Sequence, residues 1–294
     1  MTQTATTQTT MTQTHGASVL ELHRYPVKSM MGEMLDHVEI TDKGFKGDRV
    51  FAVRDEVRGG IRGGKKIPQL MTLRATTEEA VRPCARITAP SGETLLSTAP
   101  DISQWLSSEL QHSVTLWPLL PPEQLDHYRR GAPDNEDFEQ ELRSLFGRLP
   151  DEPLPDLALF AEVIDFESPP GTYFDAFPLH ILSKQSLDSV ASYDSQQRFD
   201  TRRFRPNILI DLPGIDHPYP ETTLAGQQLK IGSAVIEIVG PCPRCSMTTH
   251  GFADLPRDTG IMRTLVQHAD GNLGCYAKII EPGFASVSDS LLFL

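Results

Sequence analysis

Two cysteines lie three positions apart in the segment GPCPRCSMTT, residues 240–249. A Cys-x-x-Cys pair can form half of a zinc site, act as a redox dithiol, or supply one thiolate to a soft metal centre. A structural zinc site needs two further ligands at defined spacing, but the candidates are scattered singly: Cys84, Cys275, His250 and His268. A redox dithiol usually has its first thiolate at a helix N-terminus, whereas the sequence SMTT at 246–249 favours a strand or a turn.

The third possibility, a single metal-binding thiolate, gives the main role to Cys245. Arg244 precedes it, and a neighbouring cation lowers the pKa of a thiol and so favours the thiolate form that binds soft metals. Cys242 then either tunes this thiolate as a neighbour or is simply buried. The sequence therefore predicts one metal-binding cysteine with a second cysteine beside it.

A second candidate for ligand binding is a glycine-rich, basic segment. Residues 59–66 read GGIRGGKK, a pattern that can surround an anion with backbone amides and basic side chains. The spacing is not that of a P-loop, and a mobile hairpin loop with solvated charges explains the same residues equally well. A role in substrate gating is a further hypothesis for this segment.

The composition excludes several classes of function. The chain has 294 residues, 39% of them hydrophobic and 22% charged, which suits one large core or two ordinary domains. A formal net charge of −12 argues against nonspecific nucleic-acid binding, which requires clustered lysine and arginine. No apolar run approaches the roughly 18 residues of a membrane span, so no membrane partner is expected. Four cysteines, with no secretory leader before them, predict a cytoplasmic protein rather than a disulfide scaffold.

The elements that must position these residues begin after a Thr/Gln-rich segment, residues 1–16. This segment is predicted to be a disordered tail because it has almost no apolar content. Short segments rich in Val, Ile, Leu and Phe then alternate with Gly, Pro and Asp, which is typical of strands joined by turns. The predicted strands are 19–25, 37–41, 50–54, 70–76, 85–88 and 114–116. One helix is predicted behind Asp101, with Ile102, Trp105, Leu106 and Leu110 at helical spacing.

An acidic, proline-rich stretch from 121 to 177 marks the expected domain boundary and contains a predicted helix over 134–148. The second half is predicted to contain strand 179–183, helix 184–193, strand 207–211, a hairpin over 229–239, helix 261–268 and strand 274–280. Strands outnumber helices and occur in hairpins, so we expect a mainly β fold with some helices (α+β) and no parallel β-α-β winding. The predicted domains are residues 17–133 and 134–294.

Six short motifs occur in the order found in one protein family. They are Tyr25-Pro26-Val27-Lys28-Ser29, Gly47-Asp48-Arg49, Phe204-Arg205-Pro206-Asn207, the CPRCxxTT block at 242–249, Asp258-Thr259-Gly260, and Tyr276. In this order, over about residues 18–283, the chain resembles MOSC proteins of the branch that includes the mitochondrial amidoxime-reducing component and bacterial reductases of N-hydroxylated bases. The resemblance implies two β-barrel-like domains, a MOSC N-terminal β-barrel and the MOSC domain, with the molybdenum cofactor held between them.

The resemblance also implies the residues of the site. Cys245 corresponds to the protein ligand of molybdenum and is the implied catalytic residue. The residues implied to bind the molybdopterin cofactor are Lys28, Ser29, Arg49, Asp175, Ala176, Phe177, Arg205, Asn207, Pro243, Arg244, Cys245 and Tyr276. Residues 175–177 lack the hydroxyl groups of animal relatives, so their contacts would use backbone groups. On residue type alone, Lys28 and Arg49 equally suit solvated charges, and Tyr276 a core aromatic.

The implied activity is that of a molybdenum-dependent oxidoreductase that reduces small N-hydroxylated compounds such as hydroxylamines, amidoximes or N-hydroxylated purines. Its electrons are expected from a separate reductase or an iron–sulfur protein of the ferredoxin type, because the cysteines lack plant-type cluster spacing. An alternative from another class is a non-catalytic carrier of the cofactor or of sulfur. A third is a structural or signalling module that has lost the cofactor.

Overall fold

The computed structural model describes residues 16–157 and 165–294, so the predicted disordered tail lies outside the described residues except for Gly16. The strands of the first half are β1 (Ser18–Arg24), β2 (Glu33–Leu35), β3 (His37–Thr41), β4 (Gly44–Phe45), β5 (Phe51–Asp55), β6 (Ile61–Arg62), β7 (Arg74–Thr77), β8 (Ala85–Thr88), β9 (Thr94–Leu96) and β10 (Val114–Pro118). Those of the second half are β11 (Leu179–Ser183), β12 (Ile208–Asp211), β13 (Gln228–Ile231), β14 (Ala234–Pro243), β15 (Asn272–Glu281), β16 (Gly283–Ser286) and β17 (Leu291–Phe293).

The α-helices of the described residues are short and connect or cover the strands. They are α1 (Ile102–Leu110), α2 (Leu125–Tyr128), α3 (Phe138–Phe146), α4 (Lys184–Tyr193), α5 (Thr201–Phe204) and α6 (Gly260–Ala269). Turns of 3₁₀ helix occur at Pro68–Thr72, Pro220–Leu224 and Ser246–Thr249. None of the helices in the described residues is long and apolar enough to cross a bilayer.

The largest sheet combines strands from both ends of the chain. Its eight strands run in the order β17-β13-β14-β15-β11-β12-β1-β2, and β1 pairs with β12 in antiparallel register, with Val19 opposite Ile210. Val19 and Leu22 consequently pack in the same core as Ile181, Ile210 and residues of β14 and β15. A further three-stranded sheet, β16-β3-β4, again pairs the last part of the chain with the first.

A second core lies entirely within the first half. The sheets β10-β5-β6 and β7-β8-β9 enclose it together with α1, whose Ile102, Leu106 and Leu110 are buried as the helical spacing predicts. Residues 17–133 are predicted from sequence to form one domain, and this division stays a prediction. The hydrophobic cores divide the chain differently, because β1 to β4 share their core with residues 179–293.

Most predicted elements are confirmed to within two or three residues, and the mainly β fold with several helices is confirmed. The predicted strand 70–76 is wrong in its first half. Pro68 begins a 3₁₀ helix there, since its fixed φ suits a first helical turn, and the strand starts only at Arg74. The expectation of no parallel winding is also wrong at one place, because β11 and β12, connected through α4, pair in parallel. Asp101 precedes α1 but makes no side-chain capping hydrogen bond.

Candidate functional site

A cavity of about 420 Å³ lies where loops of the two halves meet. Its wall comes from the loops after β1, β4 and β6, from α3, and from the segments that lead into β11, β12 and the turn after β14. It brings together eleven of the twelve implied cofactor-binding residues: Lys28, Ser29, Arg49, Asp175, Phe177, Arg205, Asn207, Pro243, Arg244, Cys245 and Tyr276. Ala176 does not line the cavity.

Cys245 lies at the turn between the end of β14 and the 3₁₀ helix that follows it. The backbone N–H and the side-chain hydroxyl of Thr248 both donate to the Cys245 carbonyl, at 3.2 and 3.0 Å, and this fixes the turn. The residue is only 9% exposed and packs beside Met71, Met247 and Phe252 while its side chain faces the cavity. A buried, locally fixed sulfur of this kind is available to a ligand inside the cavity and shielded from bulk solvent.

Arg244 connects the cysteine turn to the end of α5. Its Nη2 donates to the carbonyl of Phe204 at 2.7 Å, and its Nη1 donates to the Cys242 sulfur at 3.0 Å. Its Nε is buried and has no hydrogen-bond partner among the described residues. Burial raises the pKa of Cys242, and the nearby guanidinium offsets only part of this effect. Cys242 therefore remains a thiol beside the cavity at neutral pH.

Two further guanidinium groups lie close to the ring of Tyr25. The Arg205 guanidinium is 4.1 Å from the centroid of the Tyr25 ring, and that of Arg49 is 5.0 Å away. Asp48 accepts hydrogen bonds from Arg49 and from Asn207 Nδ2, whereas the Arg205 guanidinium, within the described part of the chain, donates only to the carbonyl of Met30. Burial, followed by the positive charge of Arg49, lowers the pKa of Arg205 to about 10. The cluster therefore carries more positive charge than its own carboxylate compensates.

Three of the cavity residues have left-handed backbone conformations although none is glycine. The φ angles are 67° at Ser29, 50° at Arg49 and 53° at Arg205. Such conformations cost of the order of 1 kcal/mol or more each and tend to persist at functional sites, where the surrounding structure enforces them. Here they turn side chains of loop residues into the cavity.

Lys28, Lys65 and Asp175 form a charged group on the cavity wall. Lys28 Nζ donates to Asp175 Oδ1 at 2.6 Å, to Tyr173 O at 3.0 Å and to Ser168 Oγ at 3.2 Å. Burial lowers the pKa of Lys28. Burial alone would raise the pKa of Asp175, but the charges of Lys28 and Lys65 hold it well below its usual range. Asp175 is therefore ionised at neutral pH.

Sequence reasoning did not include His180 among the site residues, and it did not place the predicted helix over 134–148 in the wall of the site. His180 lines the cavity, where burial and the charge of Arg244 hold its pKa well below the usual range, so the imidazole is neutral. Gly274 packs directly against His180, because a Cβ added to Gly274 would lie 2.2 Å from His180 Nε2. The backbone φ of Gly274 is 76°. His180 lies on a strand among apolar residues, and nothing in the local sequence distinguishes it from a core histidine. Sequence did point to another part of the cavity wall, because the glycine-rich, basic segment 59–66 includes the cavity residue Lys65.

The predicted helix over 134–148 is the observed α3, and it covers one side of the cavity. Asp137 caps its N-terminus by accepting a hydrogen bond from Gln140 N at 2.8 Å. The apolar side chains that it contributes to the wall are Phe138, Leu142, Leu145 and Phe146. Lys66 connects the helix to the glycine-rich segment through ion pairs with Glu141 and with Asp134. The wall is therefore largely apolar along α3, and its cations come from other segments.

The ion pairs of Lys66 predict a dependence of stability on acid. Burial alone would raise the pKa values of Asp134 and Glu141, but hydrogen bonds from Lys66 outweigh it and lower both. Because the pKa values of the two carboxyl groups are depressed in the folded state, the ionised carboxylates stabilise the fold above their ordinary pKa of about 4. This stabilisation is lost as the pH falls through the folded-state pKa values. We expect the difference in melting temperature between wild type and Glu141→Gln to shrink from pH 6 to pH 3. A difference that is the same at every pH would contradict this role.

The described residues contain no group of three or more His, Cys, Asp or Glu side chains that could hold a metal ion, so the geometry gives the zinc interpretation no further ligands. The four cysteines are unpaired and buried. The wall of the cavity contains two cysteines, but Cys242 accepts a hydrogen bond from Arg244 and has a raised pKa, so Cys245 is the candidate metal-binding sulfur beside the cations. This arrangement suits a soft metal carried by a larger anionic ligand.

Comparisons with known proteins identify the family. A model of the MOSC domain matches residues 169–291, and one of the MOSC N-terminal beta barrel domain matches residues 16–116. Mitochondrial amidoxime reducing component 2 of Bos taurus is 27% identical over 265 residues, which is 83% of this chain and 68% of that protein.

Solved structures give weaker similarities. The YUAD protein of Bacillus subtilis has a TM-score of 0.43 and 12% identity over 94% of both chains. YiiM of Geobacillus stearothermophilus has a TM-score of 0.30 and 17% identity over 40% of this chain and 54% of its own. These scores are too low to support a shared fold on their own. The two domain models match successive parts of the chain, one in each of the two halves that form the cavity. The chain therefore belongs to the MOSC-domain proteins with an N-terminal MOSC β-barrel domain.

Proposed function

We propose that this protein binds the molybdenum cofactor in the cavity and uses it to reduce N-hydroxylated compounds. The observation that carries the proposal is the placement of the buried Cys245 thiol in the same 420 Å³ cavity as Lys28, Arg49, Arg205 and Arg244. These residues come from distant parts of the sequence, and folding alone brings them together. The similarity to an amidoxime reducing component supports the choice of substrate class.

Two features of the wall fit an anionic, metal-bearing cofactor. The unpartnered Nε of Arg244 leaves a buried donor beside Cys245 for a ligand, and buried donors are rarely left unsatisfied. Burial and then repulsion by Arg49 lower the pKa of Arg205, and an anionic group bound near both guanidinium groups would offset the second of these causes. Guanidinium groups are well suited to the phosphate of such a cofactor because they donate in a bidentate geometry.

In this proposal each part of the wall has its own task. The Cys245 sulfur would hold the metal, the three arginines and Lys28 would hold the anionic part of the cofactor, and the bound cofactor would supply the two-electron chemistry. The residues of α3 would exclude water from the apolar side of the cavity and leave space for a small organic substrate. A separate electron-donor protein, a reductase or an iron–sulfur protein, would supply the electrons.

The test is to purify the protein from a host that synthesises the cofactor and to measure its molybdenum content and its activity. We expect about one molybdenum per chain and turnover of benzamidoxime or hydroxylaminopurine with reduced methyl viologen. Stoichiometric metal without turnover of either substrate would favour a cofactor carrier instead. A protein without metal would contradict both functions and favour a module that does not use the cofactor.

A further inference from the structure

Lys65 differs from the other cations of the cavity wall in its hydrogen bonding. Every other lysine and arginine that lines the cavity donates at least one hydrogen bond to a side chain or carbonyl. The Lys65 ammonium has one ion-pair partner, Asp175 Oδ2, at the long distance of 3.4 Å. Within residues 16–157 and 165–294 it is the one cavity cation whose donors are not used. Such a group is available to a ligand.

The segment that carries Lys65 is held firmly against the rest of the site. An added Cβ would lie 2.8 Å from Ser29 Oγ at Gly63 and 2.9 Å from the Met247 side chain at Gly64, so both glycines pack closely against these side chains. His250 Nε2 donates to the Gly64 carbonyl at 2.9 Å. These contacts fix the backbone just before Lys65 beside the 3₁₀ helix that follows Cys245.

The position of the Lys65 backbone is therefore fixed by the contacts of Gly63 and Gly64. Its side chain is 21% exposed, and its charge interacts with both the Asp175 carboxylate and the Cys245 sulfur. Burial alone would lower the pKa of Lys65, but nearby negative charge, chiefly that of the Asp175 carboxylate, raises it above its usual range. The side chain is thus a charged donor at neutral pH, near the sulfur to which the metal is assigned.

We propose that Lys65 is a specificity-determining residue that donates a charge-assisted hydrogen bond to the oxygen of the substrate N-hydroxy group. This inference rests on the proposed function and adds a substrate contact to it. The oxygen of an amidoxime is a hydrogen-bond acceptor, whereas the amidine that remains after reduction has no oxygen. Lys65 would therefore distinguish substrate from product and would not be needed to hold the cofactor.

The experiment compares the binding of one substrate and its product. Benzamidoxime and benzamidine are titrated into the molybdenum-loaded protein without reductant, for wild type, Lys65→Gln and Lys65→Arg. Lys46→Gln serves as a matched control, because Lys46 is an exposed lysine in an ion pair with Glu39 on the surface. Loss of one hydrogen bond to a charged donor predicts benzamidoxime binding weaker by about 10-fold in Lys65→Gln.

Benzamidine binding should not weaken in Lys65→Gln, and the molybdenum content and melting temperature should stay at the wild-type level. Lys65→Arg should restore most of the benzamidoxime affinity. Equal weakening for both ligands, or loss of molybdenum in Lys65→Gln, would overturn the assignment of Lys65. If wild type itself neither binds nor reduces benzamidoxime, the proposed function fails, which is a different result from a change confined to the variant.

Discussion

Cys245→Ser is expected to abolish both molybdenum retention and the reduction of N-hydroxylated compounds. Of the two cysteines in the cavity wall, Cys245 is the one assigned to the metal, and a serine hydroxyl is a much poorer ligand for a soft metal than a thiolate. Mutations of groups that merely surround a metal ligand typically cost about 10- to 100-fold, so loss of the ligand should cost more than about 100-fold in turnover. Metal analysis and steady-state assays on the purified variant check both effects.

Cys242→Ala is the matched control for this prediction. Cys242 is buried, lies beside the cavity and accepts a hydrogen bond from Arg244, but its raised pKa keeps it in the thiol form. We expect its replacement to retain molybdenum and to lower activity by no more than about 10-fold. If Cys242→Ala lost the metal and Cys245→Ser kept it, the assignment of the two sulfurs would be reversed.

Asp48→Asn is expected to destabilise the protein by about 3–5 kcal/mol, as is typical when one partner of a buried charged pair is removed. The Asp48 side chain is fully buried and accepts hydrogen bonds from Tyr25 N, Arg49 and Asn207 Nδ2. An asparagine would direct an amide donor towards other donors and would leave two neighbouring guanidinium groups without a carboxylate. Urea unfolding of wild type and variant measures the difference.

Glu39→Gln provides the comparison for Asp48→Asn. Glu39 forms an ion pair with Lys46 at the surface, and exposed pairs of this kind contribute about 0–1 kcal/mol. A similar small change in Asp48→Asn would show that the charges of Arg49 and Arg205 are compensated by other groups. A large change in Asp48→Asn alone would support the carboxylate as the anchor of the arginine cluster.

Local sequence was sufficient where a segment carries its own signals. Strand β11 and helix α4 match their predicted bounds, because a fully buried strand ends at Ser183, whose hydroxyl accepts a hydrogen bond from Ser186 N and caps the helix. The hairpin of β13 and β14 follows from alternating apolar residues around Gly232. The 3₁₀ helix at 68–72 was missed because an apolar run that follows a proline suits a strand and a short turn equally well.

The site could be predicted only in part, and mainly from the order of its motifs. Ser29, Arg49 and Arg205 adopt left-handed conformations that sequence normally signals by glycine, so their inward orientation had no local signature. His180 faces the cavity because of tertiary packing, and a lone histidine in sequence indicates nothing of the kind. Lys65 lies in the glycine-rich segment 59–66, which the sequence marked as a possible anion site but did not connect with Cys245. Ala176 was included with its neighbours but does not reach the cavity wall.

The exchange of strands between the ends of the chain has a consequence for biogenesis. Strand β1 needs β12, which follows about 190 positions later, so a nascent chain cannot complete its main sheet until most of it has left the ribosome. Until then Val19 and Leu22 lack their core partners and offer apolar surface to chaperones. Insertion of a large cofactor into a cavity built from both halves would accordingly be a late, post-translational event.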